Sequence, residues 1–242
     1  MILECATHPQ YRSNTYLLAD AHGGDAVFID AGGPVERLMQ CVDEHALTVT
    51  HVLLTHEHRD HTVHAVDLEE RYGARAVYAG ESLDGTPVAV GRLTLRPLST
   101  PGHCEPHVAW LVERDGRVVA AFTGDVLFRE TVGGTVSGGP EGFERLRASI
   151  DALLALPDDA VLYPGHVDAT TVAHEREHNP FVRAWRGDGS RTDEPVQVAG
   201  TAATLLLEAR DYDGGTKAWV RFADGREAVV GGSMVSRAPA RA

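Results

Sequence analysis

The sequence predicts an α/β domain followed by a small β-rich segment. Three observations carry this reading. Over the first 125 residues, short apolar runs alternate with segments of helical spacing. Near Gly187 the composition turns polar, and beyond it only short strand-like runs occur. Hydrophobic residues make up 43% of the 242 residues, enough to bury a sizeable core.

In chain order, TYLLAD (Thr15 to Asp20) and AVFIDAGG (Ala26 to Gly33) read as strands, the second closing on a glycine turn. VERLMQCVDEHA (Val35 to Ala46) places Leu38, Cys41, Val42 and His45 at helical spacing. HVLLT (His51 to Thr55) is a short apolar strand, and VHAVDLEERYG after residue 62 is a helix. Strands follow near Ala76 to Ala79, Leu93 to Leu98, Val108 to Arg114 and Arg117 to Thr123. FERLRASIDALLALP (Phe143 to Pro157) is the clearest amphipathic helix, with Leu146, Ile150, Leu153 and Leu154 on one stripe. AVLYPGH (Ala160 to His166) is strand then turn, and TTVAHEREH is a helix that stops at Asn179-Pro180. RGDGSRTDEP (Arg186 to Pro195) reads as a linker. The strand-like runs ATLLLEAR, TKAWVRF and REAVVGG then predict a β appendage, giving expected domains of 1–188 and 195–242.

Formal net charge is −13, so no basic face offers itself to nucleic acid or to an anionic membrane. No signal-peptide pattern and no long apolar run is visible. Cys5, Cys41 and Cys104 are few, widely spaced and odd in number, which fits a reduced protein. The expectation is a cytoplasmic protein, possible as a homodimer, that acts on a small molecule. Neither nucleic acid nor membrane is an expected partner.

The stretch THEHRDH, Thr55 to His61, begins at a strand end and gathers metal-binding side chains. His56 and His58 are two apart and share a side if extended. A tight turn after them lets Asp60 and His61 face a second position, while Glu57 and Arg59 are expected to face away. Imidazole and carboxylate suit zinc or iron. A metal site needs ligands from elsewhere, and three further strand-end turns each offer one: STPGHCEPH with His103, FTGDVLF with Asp125, and LYPGHVD with His166. Glycine before each donor permits close backbone approach.

HEHRDH, TPGH, GD and PGH, in that order, resemble the metallo-β-lactamase superfamily over about residues 1 to 185. The early Asn14-Thr15-Tyr16-Leu17 and the run Gly124 to Phe128 resemble its glyoxalase II (hydroxyacylglutathione hydrolase) branch. The resemblance implies a four-layer αβ/βα sandwich, two face-to-face sheets with helices outside. It also implies two divalent metal ions, zinc first, with iron or manganese as alternatives. His56, His58 and His103 would hold one, Asp60, His61 and His166 the other, and Asp125 would bridge them. A hydroxide between the metals would attack a thioester, ester or lactone, with Asp60 orienting it.

The chain departs from that branch where the thiol is bound. The positions that would carry a basic glutathione contact are Gly134 and Thr135, a tyrosine position is Asp168, and the helical C-terminal region is replaced by the β appendage. The resemblance leaves open a second chemistry. Persulfide dioxygenases of this fold use one iron, which would map to His56, His103 and Asp125. A non-enzymatic scaffold is disfavoured by the seven intact positions.

His174 to His178 spell HExxH. The helix ends at once at Asn179-Pro180 and no third ligand is in view, so these residues are expected to be structural. Cys104 is expected to be a small buried side chain, with an oxidation-sensitive thiol close to the metals as the alternative, and His107 either a support for a ligand or an ordinary histidine. His8, His22, His45, His51 and His64 are expected to be structural. Tyr163 and Arg129 are candidate substrate contacts, and Gly133 to Gly139 a candidate mobile loop at the site mouth.

Overall fold

The computed structural model describes residues 1–237. Its first sheet runs in the order β1 (Ile2–Thr7), β2 (Asn14–Ala19), β3 (Asp25–Ile29), β4 (Thr48–Leu53) and β5 (Arg75–Val77). The first three strands are antiparallel, and β3, β4 and β5 are parallel. Parallel neighbours need crossovers, and the helices α1 (Glu36–Glu44), α2 (Arg59–Thr62) and α3 (Ala65–Tyr72) lie in them. A short helix α4 (Ala79–Ser82) leads on to β6 (Val88–Val90), β7 (Leu93–Ser99), β8 (Val108–Arg114) and β9 (Arg117–Gly124). A small ribbon, β10 (Leu127–Phe128) and β11 (Thr131–Val132), precedes helix α5 (Gly142–Leu154). Strands β12 (Val161–Pro164) and β13 (Thr170–Thr171) complete a second sheet of order β13-β12-β9-β8-β7-β6, and α6 (Val172–His178) and α7 (Pro180–Arg186) follow.

Alternation along the strands explains the four layers. In β2, Tyr16 and Leu18 meet Trp110, Val112 and Phe122 of the second sheet, whereas Leu17 and Ala19 meet the helical layer with Leu38, Val42 and Leu68. Both faces are buried, which is why these strands read as continuous apolar runs. On the far side, Leu146, Ile150 and Leu153 of α5 cover Leu111, Ala121 and Leu162. Trp110 is fully buried, and its indole N–H donates to the Leu54 carbonyl at 3.3 Å, so no polar atom is stranded. Each such large side chain contributes roughly 2–3 kcal/mol of burial.

The segment after the linker forms a five-stranded antiparallel sheet of β14 (Glu194–Val198), β15 (Thr201–Arg210), β16 (Thr216–Phe222), β17 (Glu227–Gly231) and β18 (Val235–Arg237). One face has its own core of Val196, Leu205, Val220 and Val230. The other sends Leu206, Trp219 and Val229 into the α5 and α7 core, where Trp219 stacks on Phe143 at 5.9 Å and 14°. A register shift between Leu205 and Leu207 lets Leu205 and Leu206 both be buried.

The predicted helices lie within a few residues of the observed ones. The helix ending at Asn179 is followed directly by α7, which the sequence reading did not identify. Asn179 makes the junction: its side-chain oxygen accepts from the N–H groups of Phe181 (3.0 Å) and Val182 (3.2 Å), with Pro180 at the first helical position. Among the described residues, no helix is long and apolar enough to cross a membrane.

Candidate metal centre

The seven predicted donors come together at one edge of the sandwich, between the two sheets. β4 ends at Leu53, the chain bends at Thr55, and His58, with extended backbone, stands at the N-cap of α2. His58 Nδ1 lies 3.1 Å from His56 Nε2 and 3.0 Å from His103 Nε2. His103 Nε2 in turn lies 3.6 Å from Asp125 Oδ2. A second set adjoins it. Asp60 Oδ2 is 3.7 Å from both His61 Nε2 and His166 Nε2. Asp125 faces this set too, with Oδ1 at 3.4 Å from His61 and Oδ2 at 3.3 Å from His166. Asp125 is therefore the carboxylate common to both sets.

These separations fit a metal ion. Donors held about 2.0–2.2 Å from one cation lie roughly 3–3.6 Å from each other. Three features of the chain support the fit. His61 Nε2 and Asp125 Oδ1 are buried without a hydrogen-bond partner, a cost a cation removes. Gly165 keeps the space open: a Cβ there would lie 2.3 Å from Asp125 Oδ1 and 2.7 Å from His61 Cε1. Cys104 Sγ also lies within 4.8 Å of the donors of His56, His58 and His103.

The other ring nitrogens of His56, His61, His103 and His166 lie against neighbours. His61 Nδ1 donates to Asp30 Oδ2 at 2.9 Å. The Thr55 hydroxyl also donates to Asp30 Oδ2 at 2.9 Å and lies 3.1 Å from His56 Nδ1. His103 Nδ1 donates to the Gly134 carbonyl at 2.9 Å, and His166 Nδ1 to the Tyr11 carbonyl at 3.0 Å. Such partners fix tautomer and orientation. His107 supports the shared carboxylate: its Nδ1 is 2.8 Å from the Thr100 hydroxyl, and its Nε2 accepts the Asp125 N–H at 3.2 Å. Of the two roles left open for His107, the first matches its bond to a candidate donor residue.

Strand ends carry the donors because polar groups pin them there. The side chains of Asn14 and Tyr16 donate to the Pro164 carbonyl at 3.1 Å and 2.7 Å, fixing the turn that presents His166. The early motif thus serves a late ligand. Gly102, at φ 131°, passes so close to α5 that a Cβ would lie 2.2 Å from the Leu146 nitrogen.

Charge follows the same layout. Burial drives the imidazoles of His56 and His103 down, so both stay neutral and ready to donate a lone pair. Burial also lowers His107 to about 3. Burial opposes protonation of His61 as well, but the carboxylates of Asp125, Asp30 and Asp60 outweigh it and raise His61 to about 9. Burial raises the Cys104 thiol to about 12. Burial opposes ionisation of Asp125 too, yet the imidazoles of His166, His61 and His56 hold its carboxyl well below the usual range.

The structure places the other singled-out residues as follows. Arg59 is exposed, and it lines a cavity beside the centre. α2 begins at Arg59, so a helical turn replaces the extended alternation there, and Arg59 and Val63 line a cavity that opens on Asp60. His8 and His64, expected to be structural, line the same cavity. Glu57 is exposed. The loop Gly133 to Gly139 is pinned to the C-terminal sheet: the Thr135 N–H donates to the Val229 carbonyl at 2.8 Å, and the Val229 N–H to the Thr135 hydroxyl at 3.0 Å. Tyr163 packs against Phe122 in the inter-sheet core. Arg129 lies with Tyr212 and Glu130 in a separate surface cleft.

HExxH is structural, as expected. Glu175 is buried and accepts from Thr170 Oγ1 (2.6 Å), the Glu130 N–H (3.0 Å) and Asn179 Nδ2 (2.8 Å). His174 bonds Glu130 at 2.9 Å, and neither His174 nor His178 is among the metal-type clusters of the described residues.

The β appendage reaches the centre, which the sequence reading left unassigned. The Tyr212 ring stacks on His166 with centroids 4.5 Å apart and planes at 13°. Arg12 donates to the Tyr212 carbonyl at 2.7 Å. Lys217, the chain's one lysine, is buried 3.3 Å from Asp211 and 5.5 Å from the centre of the Phe128 ring. Nothing in the local sequence marks Asp30 or Tyr212, because each acts on a histidine far away in the chain.

Known proteins are similar to this chain in sequence and in fold. The sequence pattern of the metallo-β-lactamase superfamily matches residues 8–88. Hydroxyacylglutathione hydrolase GloC of Haemophilus influenzae is 31% identical over 216 residues, which cover 76% of this chain and 99% of that relative. ETHE1 from Myxococcus xanthus is similar in structure, with 32% identity, a TM-score of 0.64, and coverage of 76% of this chain and 85% of that one. TTHA1623, solved in a di-iron-bound form, has 29% identity, a TM-score of 0.57, and coverage of 74% and 99%.

Proposed function

The chain belongs to the metallo-β-lactamase superfamily, and we propose that it is one of the family's metal-dependent hydrolases, cleaving a thioester, ester or lactone of a small molecule. The observation that carries the reading is the pairing of two donor sets through one carboxylate. His56, His58 and His103 form one, Asp60, His61 and His166 the other, and Asp125 faces both. Zinc is the proposed metal, with iron or manganese accepted by the same donors.

Two bound cations would acidify a water and polarise the substrate carbonyl. The protein's own groups do the rest. Asp60 is half-buried at the edge of the centre, where its carboxylate can hold the attacking water and take its proton. Asp30, Gly134 and the Tyr11 carbonyl keep His61, His103 and His166 aimed inward. His107 keeps Asp125 in place. In the reaction, water oxygen bonds to the acyl carbon, the carbon–sulfur bond breaks, and the thiol leaves with a proton.

The alternative, a single iron on His56, His103 and Asp125, gives no role to the set formed by Asp60, His61 and His166. Protein purified without added metal and offered a panel of thioesters, lactones and persulfides separates the two. Hydrolysis without oxygen uptake supports the proposal. Persulfide-dependent oxygen uptake with no hydrolysis overturns it.

A further inference from the structure

A cavity of about 480 Å³ opens on Asp60, at the edge of the metal centre. Its chemistry is unusual for a chain of net charge −13, whose field disfavours anions. Arg59 stands at its wall, exposed, and among the described residues its guanidinium forms no ion pair. His8 adds a fixed donor. Its Nδ1 accepts the backbone N–H groups of Gln10 (3.2 Å) and Tyr11 (3.0 Å), so the proton of the neutral ring sits on Nε2. Tyr11 and Val63, 59% and 47% exposed, supply an apolar wall.

The wall is built rather than incidental. The loop from His8 to Ser13 is closed by the His8 N–H on the Ser13 carbonyl (2.8 Å) and the Arg12 N–H on the His8 carbonyl (2.9 Å). The Tyr11 carbonyl holds His166, so the loop is tied to the metal centre itself. Arg59 and Val63 are one turn apart and share a face of the chain. The cavity therefore sets a cation and a neutral donor beside an apolar surface, next to Asp60.

We propose that this cavity takes a carboxylate carried by the substrate on a short hydrocarbon chain, with Arg59 as the residue that selects it. The His8 Nε2–H is the second donor, and Tyr11 and Val63 flank the chain. The inference rests on the hydrolase reading for its reaction, and it names the substrate class: small acid-bearing thioesters or esters. The carboxylate belongs to the acyl half or to the thiol half of the ester, and the same pocket chemistry serves both.

Two matched pairs test this on the full-length, zinc-loaded protein. The first is S-glutaryl against S-valeryl N-acetylcysteamine. The second is the S-valeryl ester of 3-mercaptopropionate against that of propanethiol. The acidic member of one pair should win in kcat/KM by about 10- to 100-fold, as a charge-assisted hydrogen bond provides. The pair that shows the preference says which half carries the carboxylate. Arg59→Gln should abolish the preference mainly through KM, and Arg59→Lys should restore part of it. Equal rates within both pairs, or a preference unchanged in Arg59→Gln, overturn the proposal. If no ester is cleaved, the hydrolase reading fails instead. Calorimetry then decides the carboxylate claim: glutarate should bind more tightly than glutaramide, and Arg59→Gln should remove the difference. Equal binding of the two refutes it.

Discussion

Asp30 Oδ2 accepts the Nδ1–H of His61 at 2.9 Å, and both side chains are buried. The same carboxylate holds Thr55 through its N–H (2.8 Å) and its hydroxyl (2.9 Å), so one residue braces the strand end that carries donors of both sets. Removing it should free the His61 ring and leave the Thr55 N–H unpaired. Asp30→Ala should weaken zinc binding by about 10- to 100-fold. Competition with a chromophoric chelator reads this directly, and unchanged affinity would show that His61 needs no such brace.

The stack of Tyr212 on His166 gives the C-terminal sheet a part in the centre. Tyr212→Ala should lower stability by about 1–3 kcal/mol and loosen the second donor set, whereas Tyr212→Phe should retain most of both. Urea denaturation and zinc titration of the two variants make the comparison. Equal losses in both would point to the hydroxyl rather than the stack.

Trp219 ties the same sheet to α5 through Phe143. A chain ended at residue 188 would expose Phe143, on which Trp219 stacks. It should lose cooperative thermal unfolding. A sharp transition near that of the full chain would show that the sheet is dispensable for folding.

The HExxH helix offers a control. His174→Ala should leave metal content unchanged, and His56→Ala should lose about one ion per chain. Glu175→Ala strips acceptors from Thr170, the Glu130 N–H and Asn179. It should destabilise the fold by about 1–3 kcal/mol without touching the metal. Metal loss in His174→Ala alone would refute the site assignment.

His107 predicts a pH dependence. Burial lowers it to about 3, against about 6.5 in the unfolded chain. Between those values the unfolded state binds the extra proton. The stability from neutral His107 is thus complete above about pH 6.5 and lost as pH falls towards about 3. His107→Asn should shrink the slope of unfolding free energy against pH by about one proton in that window. An unchanged slope would mean that His107 is not held neutral.

The donors were legible because their signal is local and dense. HEHRDH packs four donors into six residues, and His103, Asp125 and His166 each follow a glycine at a strand end. The sandwich was legible for a related reason: strands buried on both faces read as apolar runs. The braces were not. Asp30, the Tyr11 carbonyl and Tyr212 act on histidines brought near only by folding, and a backbone carbonyl leaves no mark in sequence. Arg59 lines a cavity that the sequence does not mark, because the extended alternation of this stretch stops at His58. His58 caps a helical turn, and from there the period changes from two to that of a helix.

The central claim is that two metal positions share Asp125. The most direct measurement is the number of ions that metal-free protein takes up tightly, in wild type and in His61→Ala. The account predicts about two zinc ions per chain in the first and about one in the second. A single tight ion in the wild type, unaffected by His61→Ala, would contradict it.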